Sequence, residues 1–161
     1  MGASLKLTVD LSGLGKLTRE VHAGLDLVAQ RTAEQVQAGV RNDITTGAKT
    51  GHEYLVPTGS TERWRRYEGG PIPEGWKLHQ ASAPGEAPAG ETGNLANDSD
   101  ITKPRDGARD VNFNADYAAS LEFGTEDGKT APRPSIGPNV EAARPTLEAG
   151  VAAVLKKAAG S

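Results

Sequence analysis

Tyr117-Ala-Ala-Ser-Leu-Glu-Phe-Gly-Thr125, then Glu126-Asp-Gly-Lys129, then Ala131-Pro-Arg-Pro-Ser-Ile-Gly-Pro138: the reading of this stretch orders the rest of the chain. Tyr117 and Leu121 stand four apart, so on a short helix they share one face. Gly124 suits the left-handed position that ends such a turn. Residues 126–129 make a polar loop, and Pro132, Pro134 and Pro138 hold the following segment extended and stiff. Pro138 fits the first position of a final helix, where a missing N–H leaves nothing unsatisfied. One short stretch thus closes the body, forms a rigid elbow and launches the last helix.

Downstream, Val140, Ala143, Leu147, Val151, Val154 and Ala158 recur at steps of three and four, one apolar stripe on a helix. Pro145 falls inside it, which predicts two helical pieces meeting at a kink. Lys156 and Lys157 occupy the last turn, where positive charge favours the helix terminus. Upstream, Ile101 and Thr102 read as a strand, Asp106-Gly107 as a turn, and Val111 with Phe113 as the returning strand.

The N-terminal part is the most regular. Leu5, Leu7, Val9 and Leu11 alternate with polar residues over 4–11, the pattern of a strand with one buried face. From Leu14 the period changes: Leu17, Val21, Leu25, Val28, Thr32, Val36 and Val40 form one stripe. That predicts a long helix over 14–41, about 40 Å at 1.5 Å per residue, ended by Asn42, Asp43 and Gly47.

Residues 43–98 differ in kind, a long loop or hairpin insertion with scattered Gly, Pro, Ser and Thr. His52-Glu-Tyr-Leu-Val56 and Trp76-Lys-Leu-His79 read as hairpin arms around an irregular tip that holds Trp64-Arg65-Arg66-Tyr67. Ala83 to Pro88 carries too much Pro and Gly for regular structure and reads as an extended arm. The expected architecture is one α+β domain over 1–161. A small, mostly antiparallel sheet from 4–11 and 99–114, helped by the hairpin, packs against the long N-terminal helix and the C-terminal helix.

Composition narrows the function classes. The 161 residues are 36% apolar and 4% aromatic, with 20 glycines and 10 prolines, too little apolar material to bury every segment. Long exposed loops follow, which either stay mobile or order against a partner, the latter being common in assembly proteins. A formal charge of −3 argues against general nucleic-acid binding, which requires a basic face. The absence of cysteine excludes disulfides, thiolate nucleophiles and zinc–sulfur sites. There is no run of 18 apolar residues and no apolar signal core, so a soluble, unexported chain without membrane contact is expected.

The segment Tyr-Ala-x-x-Leu-Glu-Phe-Gly-Thr with its Arg-Pro elbow and proline-started helix resembles the signature of the tail-completion and head–tail joining proteins of long-tailed bacteriophages. Ala81-Ser-Ala-Pro-Gly-Glu-Ala-Pro88 and Thr92-Gly-Asn-Leu95 resemble a second segment of that family in the same order. Together they span residues 79–147, about 40% of the chain. One departure is plain: the family has an aromatic residue after the Arg-Pro pair, where Ser135 stands here. The resemblance implies a structural virion protein, made in the host cytoplasm, that forms a six-fold ring at the tail neck. It would touch the tail tube protein and head–neck connector proteins, with DNA passing through the channel without sequence-specific binding. A tail terminator or other minor tail protein of related fold is the alternative. A nucleic-acid-binding module and a small hydrolase are alternatives of other classes.

The residues offer little chemistry of their own. His22, His52 and His79 lack a carboxylate cluster at ligand spacing, so neither a metal nor another cofactor is expected. Gly13-Leu-Gly-Lys-Leu17 and Gly47-Ala-Lys-Thr50 miss the phosphate-loop spacing. Glu122 lies inside the motif without an evident catalytic partner; satisfying backbone donors or pairing with an arginine such as Arg133 is its expected role, and no enzyme is expected. Trp64, Arg65, Arg66 and Tyr67 suit recognition, since arginine and aromatic side chains are enriched in protein interfaces and also stack on nucleotides. A merely solvated loop tip fits them equally. Candidate interface positions are these four with Pro84, Pro88, Glu122, Pro132, Arg133 and Pro134.

Overall fold

The computed structural model describes residues 14–59, 63–90 and 93–160. The strand expected over 4–11 lies outside them, as does Thr92. The long stripe folds as α1 (Leu14–Thr46), five residues longer than its polar residues suggested. Ile44 explains the extension: it continues the stripe of Val36 and Val40 and is buried with them, so burial overrides the breaking tendency of Asn42 and Asp43. Gly47 then closes the last turn on the Asp43 carbonyl at 3.1 Å.

β1 (Glu53–Pro57) pairs antiparallel with β3 (Trp76–Gln80), with Tyr54 opposite His79 and Leu55 opposite Leu78. Between them β2 (Arg65–Arg66) returns to the other edge of β1, giving the order β2-β1-β3. α2 (Asn94–Asn97) leads into a second antiparallel pair, β4 (Ser99–Thr102) and β5 (Asp110–Phe113), turned at Asp106-Gly107. α3 (Ala118–Phe123) and α4 (Ile136–Ala159) complete the chain. The class is α+β, a long N-terminal helix packed on the C-terminal helix and a small sheet. Among the described residues the strands form two separate sheets rather than the single one expected: the 53–80 hairpin pairs with itself and leaves β4–β5 alone.

The two long helices run antiparallel, and glycines set their closeness. A methyl group at Gly24 would stand 2.9 Å from Val154 Cγ1, and one at Gly150 would stand 2.8 Å from Val28 Cγ1. Gly39 likewise faces Asn139, whose amide donates to Asp43 Oδ2 at 2.6 Å. These contacts lie on both sides of Pro145, and α4 is one continuous helix there, not the two pieces expected. Pro145 is exposed, so the Glu141 carbonyl that loses its donor faces water.

The core gathers at the C-terminal end of α1: Val36, Val40 and Ile44 meet Leu95, Ala96, Ala118 and Ala143, with Phe113, Leu121 and Ile136 packed against them. Arg41 fastens the entry to β4, donating from Nε to the Ala96 carbonyl at 2.8 Å and from Nη2 to Ser99 Oγ at 3.0 Å. At the opposite corner Arg109, just before β5, reaches across to α1, its two terminal nitrogens 2.9 and 2.8 Å from the Asp26 carboxylate oxygens. Gly107 N–H and Lys103 Nζ donate to the same carboxylate, both at 3.1 Å. Hydrogen bonding to Arg109 above all, then to Gly107 and Lys103, holds Asp26 far below the ordinary aspartate value. No helix among the described residues is long and apolar enough to cross a membrane.

Candidate interface around the Leu-Glu-Phe-Gly-Thr segment

α3 is short because Gly124 ends it. With φ +78° and ψ −178° the residue sits in a region only glycine enters readily, and a Cβ there would lie 2.9 Å from the Thr130 carbonyl oxygen. The conformation is extended in ψ, not the compact left-handed cap anticipated. It sends the chain into a turn closed by Thr125 N–H to the Thr130 carbonyl at 3.0 Å and stiffened by Asp127, which accepts from Thr125 Oγ1 at 2.7 Å. The Lys129 ammonium and the Thr125 hydroxyl lower the pKa of Asp127.

Glu122 takes the backbone role expected of it. Its Oε2 accepts from the N–H groups of Ser135 and Ile136 at 2.9 and 3.0 Å, and its Oε1 from Gly137 at 2.7 Å. A carboxylate from α3 therefore caps the first turn of α4, where unpaired amides and the helix dipole both favour negative charge. Ser135 is 3% exposed and makes no side-chain cap. Pro138 stands third in α4, not first, still within the turn whose amides have no helical acceptor.

Arg133 does not contribute to that cap. Its backbone N–H donates to the Leu121 carbonyl at 2.6 Å, and its guanidinium to the carbonyls of Ser82 and Ala131 at 3.2 and 3.1 Å. The 81–88 arm is thus tied to the elbow, and Gly85 N–H adds a bond to the Pro132 carbonyl at 2.9 Å. Its other side is held by Glu86, which accepts from Thr50 Oγ1 at 2.5 Å, Thr50 N–H at 2.9 Å and Ala83 N–H at 2.8 Å. These bonds lower the Glu86 pKa, the Thr50 hydroxyl first. Lys49 Nζ spans from the Asp43 carbonyl to that of Ala87, both at 2.9 Å, and its desolvation lowers its pKa. Ser82 and Pro88 are buried, Pro84 and Pro132 exposed, and Pro134 half-buried. The arm is a fastened strap, with Pro88 facing inward.

The Trp64–Tyr67 cluster is divided between two faces of the β2-β1-β3 sheet, because alternate residues of β2 point oppositely. Trp64, 48% exposed, packs its ring 5.1 Å from His79 and 6.3 Å from Tyr54, and Arg66 on that face reaches His52 Nδ1 at 3.1 Å. Arg65 lies on the other face, its guanidinium carbon 4.6 Å from the Trp76 ring centre. Tyr67 donates its hydroxyl to the Gly70 carbonyl at 2.6 Å. Among the described residues no three His, Cys, Asp or Glu side chains come together as metal ligands would.

Of the ten expected interface positions, Glu122, Arg133, Pro132, Pro134, Pro84 and Pro88 form one unit, and the remaining four, Trp64 to Tyr67, are not gathered on one face. Two features escaped the sequence reading. Phe123 was read only as part of the motif, yet it is 79% exposed. The Asp26–Arg109 pair joins residues far apart in the chain, with no local pattern to announce it. No family model, curated protein or solved structure matches this chain.

Proposed function

We propose that the chain is a structural virion protein of a long-tailed bacteriophage, a tail-completion or head–tail connector component that assembles into a six-fold ring at the neck. It works by surface complementarity and carries out no bond chemistry. The tail tube protein and the head–neck connector proteins are its neighbours, and DNA passes through the ring without sequence-specific contact. One observation carries the reading. The two segments on which the resemblance rests are separated in the chain, yet they fold against each other as strap, short helix, elbow and capped helix start. A signature that folds into one hydrogen-bonded unit suits a ring subunit, which must present a fixed edge to its neighbour.

The test is genetic and structural together. Particles produced without this gene product are expected to show filled heads and separate tails that fail to join. Joined, infectious particles in its absence would reject the proposal. Nucleic-acid contact is a second reading, favoured by the exposed Trp64 ring beside His79 and Arg66. It requires binding whose logarithm falls steeply with the logarithm of salt concentration.

A further inference from the structure

β4 and β5 present two unlike faces. Inward, Ile101 stands opposite Val111, and Phe113 packs against the core cluster. Outward, Asp100 stands opposite Asn112 and Thr102 opposite Asp110, and Asp100, Thr102 and Asp110 are exposed. Amides tie this outer row together: Asn112 donates to Asp100 Oδ2 at 3.2 Å, and Asn114 donates to Asp100 Oδ1 at 2.8 Å. The two donors, Asn114 first, lower the Asp100 pKa, and being neutral they leave its charge uncompensated.

At the Asp98 end the row opens into a cleft of about 570 Å³, lined by Asn94, Asn97, Asp98, Asn114, Asp116 and Tyr117. Tyr117 is 45% exposed there. Asp98 and Asp116 are exposed, and neither they nor Asp100 forms an ion pair among the described residues. Elsewhere the chain does pair its acids: Asp26, Asp106, Asp127 and Glu141 each hold a cation. No lysine or arginine lines the cleft. Arg41 reaches this end from α1, but its guanidinium is spent on the Ala96 carbonyl and on Ser99. Asp110 lies toward the turn that carries Lys103, Arg105 and Arg109, and adds nothing to the count here. Asp98, Asp100 and Asp116 against Arg41 leave a net negative field around an exposed aromatic ring.

We propose that this cleft docks an arginine side chain carried on an extended basic segment of a partner protein. A guanidinium is planar, so it can lie on the Tyr117 ring while its in-plane N–H groups reach carboxylate and Asn carbonyl oxygens. Asp98 and Asp116 supply acceptors for that fork, and Asp100 carries the negative field along the sheet toward further basic residues. Lysine, a point charge, would gain from the field but less from the ring and the fork. A nucleic-acid backbone would be repelled. This docking stands apart from the ring reading, and either can fail while the other holds.

The test uses the full chain and a fluorescently labelled peptide of alternating arginine and glycine, with its lysine counterpart, in anisotropy titrations. The unaltered chain should bind the arginine peptide more tightly than the lysine one, and more weakly as salt rises. Asp98→Asn with Asp116→Asn keeps side-chain shape and should weaken the arginine peptide by about tenfold, and Tyr117→Ala by about threefold. Glu74→Gln with Glu148→Gln removes the same charge from exposed positions elsewhere and should leave the affinity unchanged. Amide chemical shifts of the unaltered chain, titrated with the peptide, should move first at residues 94–98 and 112–117, a readout that needs no variant. Absent binding, equal affinity for the lysine peptide, equal loss in the two double variants or shifts centred elsewhere would each overturn the docking.

Discussion

Removing the Glu122 carboxylate should weaken the junction between α3 and α4 more than any other single change at the surface of the motif. In Glu122→Ala three amide donors lose their acceptor at once. They are not equal. Gly137 is exposed and water can take its N–H, Ile136 is half-buried, and Ser135 is buried, so its amide is left unpaired. A buried orphan donor costs about 1–3 kcal/mol and loss of a helix cap about 0.5–2 kcal/mol, so about 3 kcal/mol is expected in all. For a chain of this length that corresponds to a fall of roughly 6–12 °C in melting temperature. Glu122→Gln keeps one acceptor oxygen and should lose about half as much. Thermal unfolding followed by circular dichroism, with Glu126→Gln as a surface control, measures the difference. A Glu122→Ala protein melting within about 1 °C of the parent would refute the view that this carboxylate caps α4.

Other changes probe the helical frame and its electrostatics. Gly150→Leu should drive α1 from α4 through Val28 and cost about 2–3 kcal/mol, whereas Leu at exposed Ala149 should be nearly neutral; equal melting of the two would contradict the close crossing. Leu121→Asp should remove folded protein, because it places a carboxylate against the core cluster; a normal yield with a native circular dichroism spectrum would contradict the placement of α3. The Asp26 pKa is lowered on folding, so its contribution is fully present above the ordinary value of 3.8 and is lost as pH falls below it. Denaturant titrations should therefore show the stability gap between wild type and Asp26→Asn narrowing on acidification below that point. A gap constant with pH would count against the ion pair.

Local pattern made the two long helices, α3, both hairpins and the Asp106-Gly107 turn legible, because period and turn chemistry are written in neighbouring residues; the four-residue α2, inside the 43–98 insertion, was not anticipated. The end of α1 was misjudged since Asn42 and Asp43 favour stopping, and only the tertiary burial of Ile44 outweighs them. Pro145 signalled a break for the same reason. Its local cost is real, yet helix contacts on both sides of it keep α4 continuous. What was not legible is that the two hairpins stay apart as separate sheets and that β2 adds to the other edge of β1. Of the candidate site, the sequence left Glu122 two roles, backbone acceptor or partner of Arg133, and only the first matches its hydrogen bonds. The exposure of Phe123 was not legible, because an aromatic beside Leu121 in a short helix is more often core.

The claim that this chain is a neck component of a tailed particle is tested most directly by locating it. Immunogold electron microscopy of tailed particles purified from cells that encode the chain should place the label at the junction of head and tail, in copies consistent with one ring. Label at the tail tip, along the tube or absent from the particles would contradict it.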